Sequence, residues 1–283
     1  MTIKKNKQDA CAVCPRQCGA GRPFERGSCG AAGLRIAACN LHFGEEPPIS
    51  GDGGSGTIFF SGCSLKCIFC QNYPISHFNN GIDIDEGTLV GKMLELEEKG
   101  AHNINLVTPT HYAPEIKSAL IKAGERGMKI PVVYNSSGYE RVETLKSLEG
   151  IIDIYMPDAK FASRECSEKY SDVSDYAEVN KKALIEMKRQ AGDLKIKNDI
   201  AVSGMLIRHM VLPGEEENSK KALEWIMEEL GDVHLSIMSQ YHPCHEAALR
   251  HPVIGRRLNA EEYGEIVQYA DELGFTKVFT QEL

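Results

Sequence analysis

The chain lacks several features that would point to a membrane, a secretion route or a nucleic acid. No apolar run approaches the roughly 18–20 residues of a membrane span. The opening residues, Met1-Thr2-Ile3-Lys4-Lys5-Asn6-Lys7, are basic but carry no apolar stretch of the kind a signal peptide needs. Positive charge is not in excess: 32 Lys and Arg stand against 40 Asp and Glu, a net charge of −8. That balance argues against nucleic acid or an anionic membrane surface as a partner. No internal repeat and no low-complexity segment interrupts the sequence. These absences predict a cytoplasmic protein.

What is present is an ordinary globular composition with one surplus. At 283 residues and 42% apolar content the chain can bury a sizeable core, as one large α/β domain or two small ones. The surplus is cysteine, ten in all. In a reducing compartment these are expected to be metal ligands or free thiols, not disulfides.

Residues 1–10 read as a polar tail, and 11–56 are rich in Gly, Cys and Pro with little periodicity. From Thr57 the pattern changes to apolar runs alternating with amphipathic stretches. Strands are expected at 57–61, 103–108, 130–135, 151–156, 204–211 and 233–238, with a short one at 277–280. Helices are expected at 85–99 behind an Asp85 N-cap, from Pro114 to Gly127, and near 139–148, 175–191, 218–230 and 260–273. Six strand–helix units imply a parallel sheet with right-handed crossovers, as an open doubly wound sheet or a partly closed barrel. Either builds its site from loops at the C-terminal strand ends.

Cys63, Cys67 and Cys70 occupy that position after the first expected strand, spaced C-x3-C-x2-C. Three thiolates this close can hold three corners of a cubic iron–sulfur cluster and leave the fourth iron open to a substrate or cofactor. Structural zinc is the plainer alternative, but zinc sites usually fill all four positions.

With Phe69 before the last cysteine, the run resembles the C-x3-C-x-aromatic-C signature of the radical S-adenosylmethionine (SAM) superfamily. The flanking text is similar to the subgroup related to pyruvate formate-lyase activating enzyme. It includes Ser55-Gly56-Thr57-Ile58-Phe59-Phe60-Ser61-Gly62, Gln71-Asn72-Tyr73, Glu45-Glu46-Pro47-Pro48-Ile49-Ser50-Gly51, Val107-Thr108-Pro109-Thr110-His111-Tyr112, Tyr155-Met156-Pro157-Asp158-Ala159-Lys160 and Ser239-Gln240-Tyr241-His242-Pro243. The likeness spans nearly the whole chain.

The resemblance implies an α/β fold, a partial (β/α)6 barrel of the radical SAM type over 57–283, behind a cysteine-rich metal-binding extension over 1–56. It implies a [4Fe-4S] cluster on Cys63, Cys67 and Cys70, and SAM on the open iron. Reductive cleavage would give methionine and a 5′-deoxyadenosyl radical that abstracts a hydrogen atom. In an activating enzyme the target is a glycine of a partner protein. A peptide or small metabolite is the alternative substrate, and an iron–sulfur carrier or redox-sensing scaffold is a reading from another class. A reducing partner such as flavodoxin or ferredoxin is also implied.

By position, Phe69 and Asn72 would meet adenine, although Phe69 could equally be core packing. Relatives end their second strand in an acidic Gly-Gly-Glu-type motif for the methionine amino group. Here Thr108 and Thr110 stand in that place with no carboxylate. Asn135 and Ser137 would face ribose or methionine, or cap a turn. Asp158 and Lys160 resemble an Asp-x-Lys of activating enzymes, against the alternative of a surface ion pair. Strand alternation lets only one of Arg208 and His209 face inward, and Arg208 is the expected one. Gln240 closes the set. Cys166 is expected in a polar loop without a role.

A second thiol group, Cys11, Cys14, Cys18 and Cys29, has the spacing C-x2-C-x3-C-x10-C, with Cys39 to spare. Four thiolates in a Gly-rich segment suggest a metal staple, with zinc or a second iron–sulfur cluster both open.

Overall fold

The computed structural model describes residues 10–283. Nearly all of the expected N-terminal tail, residues 1–9, lies outside the described residues.

In chain order the elements are β1 (Arg35–His42), α1 (Pro47–Ser50), β2 (Ser55–Phe60), α2 (Tyr73–Ser76), β3 (Ile82–Asp83), α3 (Glu86–Glu98), β4 (Ile104–Val107), α4 (Ala113–Glu125), β5 (Val132–Ser136), α5 (Val142–Ser147) and β6 (Ile154–Pro157). There follow α6 (Arg164–Ser171), α7 (Tyr176–Ala191), β7 (Lys195–Lys197), β8 (Ile200–Met210), α8 (Glu216–Leu230), β9 (His234–Met238), α9 (Ala247–Arg250), α10 (Ala260–Glu272) and β10 (Val278–Phe279). The sheet runs β10-β9-β8-β6-β5-β4-β2-β1-β3, parallel from β2 to β10, with β1 and β3 added antiparallel at one edge. This is a mixed α/β fold with a parallel sheet.

Strand alternation divides the core in two. Tyr134, Tyr155 and Ile207 turn toward the helices and join Leu89, Met93, Ile116, Leu184, Leu223 and Ile266. Their neighbours Val133, Ile154 and Leu206 turn the other way and close around Ile49 of α1. Side chains of β2, β4, β5, β8 and β9 line one cavity on that second face, so the sheet is concave there. The short α1 sits across the strands' N-terminal ends, with the Asn103 amide donating to the Ile49 carbonyl at 2.7 Å. The concave face is therefore a lumen with a floor.

Three strands differ from the sequence expectation. β1 has one buried apolar position, Ile36; it is set by pairing with β2 from Ile36↔Phe60 to His42↔Ser55, not by its own pattern. The segment before residue 57 thus gives a strand to the sheet. β7 is fully exposed and forms a hairpin with β8 through Asn198 and Asp199, both at positive φ (49° and 64°), which extends β8 back to Ile200. The edge pair β3 is two exposed residues. One helix is also a correction: Cys166 lies on α6, not in a loop, where Ser163 caps the helix by accepting from the Cys166 amide. Its polar sequence gave no apolar period to find.

Candidate functional site

The cysteine run leaves β2 through Gly62, whose φ is +85°. A Cβ there would lie 2.5 Å from the Cys29 carbonyl oxygen, so glycine alone fits. The Cys63 amide then donates to that same carbonyl at 3.1 Å. Further on, the amides of Lys66 and Ile68 donate to the carbonyls of Ser171 and Tyr170, which tie the loop to α6. The Leu65 amide reaches the Cys63 sulfur at 3.4 Å, and the Cys70 sulfur meets Ser76 Oγ at 3.1 Å.

All three thiols line one cavity of about 400 Å³. Burial pushes the Cys63 thiol up to about 11 and the Cys67 thiol higher still, so it takes a bound cation to deprotonate them. Three thiols from one short loop that face one cavity suit the three protein-held corners of an iron–sulfur cluster.

Phe69, Asn72, Thr108, Asn135, Ser137, Asp158, Lys160, Arg208 and Gln240 line the same cavity. Phe69 is also packed edge-on against Phe161, Tyr170 and Tyr241. Thr108 sits at φ +59°, a strained conformation for a β-branched residue, with its amide bonded to the Asn135 carbonyl. Thr110 is apart from the group: it is buried, and its hydroxyl donates to Glu140 at 2.5 Å. Gln240 donates to the Met238 sulfur and accepts from Gln71 through its carbonyl.

Asp158 joins the strand ends. Lys160 Nζ lies 2.5 Å from one carboxylate oxygen, and Arg208 bonds the other at 2.9 and 3.0 Å. Arg208 also donates to Asn135 Oδ1 at 2.7 Å. Burial raises the carboxyl's pKa, but the two cations outweigh it and hold Asp158 below its usual value. His209 turns away, bonded to Ala159 and to Ser219 of α8.

Residues without a sequence assignment complete the frame. The Asn180 amide of α7 donates to the carbonyls of Gly138 and Asp158, and the Tyr176 hydroxyl, bonded to the Ser137 and Asp158 carbonyls, takes the Lys160 amide. Two positions on a long amphipathic helix read as core in a sequence, and only the packing reveals this task. His42, Glu45 and Glu46 also line the cavity. They belong to the segment with little periodicity, so no strand end marked them.

The front cysteines belong to the segment that meets Cys63 through the Cys29 carbonyl. Cys14 and Cys29 are buried, Cys11 is half-buried and Cys18 exposed. Cys14, Cys18 and Cys29 each accept from the backbone two residues on, at Arg16, Ala20 and Ala31. Gly19 and Gly30, directly after two of them, turn at φ +66° and +87°. Arg16 and Thr144 pin this segment through the carbonyls of Ser64 and Val13, at 2.9 and 2.6 Å.

Residues 57–226 match the Radical SAM superfamily. The chain belongs to that superfamily, whose members use a [4Fe-4S] cluster and SAM. An uncharacterised protein of Methanocaldococcus jannaschii is 31% identical over 286 residues, covering 98% of this chain and 79% of that protein. Among solved structures, SuiB of Streptococcus suis bound to SAM superposes with a TM-score of 0.56, at 13% identity over 78% of this chain. This chain spans about half of SuiB, 48%. Methylornithine synthase (PylB) gives 0.51 at 16% identity, over 77% of this chain and 60% of that one. These two likenesses are of fold. Among the described residues no helix is long and apolar enough to cross a membrane.

Proposed function

We propose that the cavity is a radical SAM active site acting on a peptide or a small metabolite. The observation that carries this reading is the meeting of Cys63, Cys67 and Cys70 with the Asp158–Lys160–Arg208 network in one cavity. When cluster and SAM are bound, one electron from a reductant cleaves SAM to methionine and a 5′-deoxyadenosyl radical, which takes a hydrogen atom from the substrate.

The residues have separable tasks in this reading. The three thiolates hold the cluster, and Ser76 and the Leu65 amide orient two of the sulfurs. Phe69 and Asn72 flank the adenine. Asn135, Ser137 and Gln240 offer hydrogen bonds to ribose and methionine. Thr108 offers backbone and hydroxyl groups where relatives carry an acid. Asp158, charged and buried between Lys160 and Arg208, fixes those cations as recognition groups for carboxylate or hydroxyl oxygens. Cys11, Cys14, Cys18 and Cys29 form a second metal site, zinc or iron–sulfur. A flavodoxin or ferredoxin supplies the electron.

A peptide or metabolite is preferred to a glycine on a partner protein because the fold neighbours are SuiB, also solved with the precursor peptide SuiA, and methylornithine synthase. An iron–sulfur carrier would have no use for Asp158 and Arg208.

The test is anaerobic reconstitution with iron and sulfide, then SAM and dithionite. Methionine and 5′-deoxyadenosine should form together, and Cys67→Ala should abolish both along with the cluster's visible absorbance. No product from protein holding its full iron would refute the reading. Metal analysis of Cys14→Ala in the same series separates zinc, lost alone, from a second cluster, lost as iron and sulfide.

A further inference from the structure

The carboxylates that face the cavity outnumber its cations. Asp158, Glu45 and Glu46 face it with carboxylates, while Lys160 and Arg208 are its cations. Asp158 is shared by both cations. Glu45 has partners as well, His42 Nδ1 at 3.0 Å and Arg208 Nη1 at 3.7 Å. Glu46 is different. Its residue is only 7% exposed, and its Oε2 is buried with no hydrogen-bond partner. It stands at the start of α1 yet makes no capping bond with its side chain. A carboxylate removed from water and left without a donor is costly, and the cost persists only where something else relieves it.

A second unsatisfied group faces the same lumen. Asn105 of β4 is fully buried, and neither its amide nitrogen nor its oxygen has a partner. Alternation puts it on the face of Val107, which lines the cavity, one step nearer the floor. A charged acceptor and a neutral acceptor–donor on the lumen side of the sheet are therefore without partners.

Resting on the reading of this cavity as the active site, we infer that the substrate carries a cationic nitrogen group, an ammonium or guanidinium, received by Glu46, with Asn105 a second unpaired group on the same face of the sheet. Such a group brings one positive charge and several N–H donors, which is what the floor is short of. It also gives the substrate a fixed distance from the cluster, because α1 and the strands that hold these residues are packed around Ile49. SAM has an ammonium of its own, and no acid stands at Thr108, so SAM is the competing source of the cation.

The experiment uses reconstituted holoprotein before SAM is added and three probes of one length, n-butylammonium, n-butyrate and n-butanol, followed by ligand-observed NMR, with SAM affinity measured separately. The butylammonium ion should bind about tenfold or more tightly than either of the others. Glu46→Gln should erase that preference and leave the SAM dissociation constant within about twofold, near the spread of a neutral change. Equal binding of the butyrate, or an amine preference that survives Glu46→Gln, overturns the inference. So does a large loss of SAM affinity in Glu46→Gln with the preference intact, which would assign the cation to SAM. If the variant does not fold, the three-probe comparison on the wild type decides alone. Failure of the parent reading appears separately, as no 5′-deoxyadenosine from wild-type protein.

Discussion

Glu140 sits beneath the cavity wall and accepts from the hydroxyls of Thr110 at 2.5 Å and Tyr134 at 3.3 Å. Burial raises its carboxyl from an ordinary 4.5 to about 7, despite those bonds. In the unfolded chain the group ionises near its ordinary value, so between pH 4.5 and 7 the unfolded state loses a proton that the folded state keeps. Stability should therefore fall as pH rises through that window and level off above it, by a ceiling of about 3 kcal/mol. Urea unfolding of wild type and Glu140→Gln at pH 5 and pH 8 checks the sign. The variant should gain on wild type at pH 8, and its own pH dependence should be flatter. This carboxyl also explains why Thr110 does not reach the cavity. Its hydroxyl is taken up by the one acid nearby. The residue two places back, Glu140's neighbour Gly138, is constrained in another way, since a Cβ would fall 2.2 Å from the Asp158 carbonyl oxygen.

At the level of elements, the short α1 matters more than its four residues suggest. Ile49 is fully buried against Val133, Ile154, Met156 and Leu206. Ile49→Ala should cost about 2–4 kcal/mol through lost burial and a cavity, and thermal melts of apo-protein would read it. A change under 1 kcal/mol would mean that the floor is loosely held. Elements with their own signal were legible beforehand. Asp85 accepts from the Thr88 amide at 2.7 Å as the N-cap of α3, and the parallel strands with their helices fall where apolar runs and amphipathic stretches alternate. The cysteine run was legible because three thiols at fixed spacing have few structural uses. β1, β7 and α1 were not, because pairing and tertiary packing make them and their sequences carry no period. The same holds for the candidate site. Asp158, Arg208 and Asn135 stand at strand ends, where a sequence can direct attention. Glu46 and Asn105 were hidden, one in an irregular segment and the other inside a strand that reads as plain core.

At the scale of the whole molecule, the cysteine-rich segment and the barrel are joined at their metal-ligand candidates. Two hydrogen bonds, from the Cys63 amide to the Cys29 carbonyl and from Arg16 to the Ser64 carbonyl, link the two thiol-bearing loops. The sheet is open between its edge strands β3 and β10, and α1 packs across one end of its concave face. That closed floor has a kinetic consequence. In the proposed site SAM would be held at the thiol end, so a ligand that reaches Glu46 from that end must pass the SAM position, which imposes a queue. Substrate must enter before SAM, and its product must wait until methionine and 5′-deoxyadenosine have gone. Initial rates with a dead-end SAM analogue should show a compulsory order, with the analogue uncompetitive against substrate. A random-order pattern would mean a second way in.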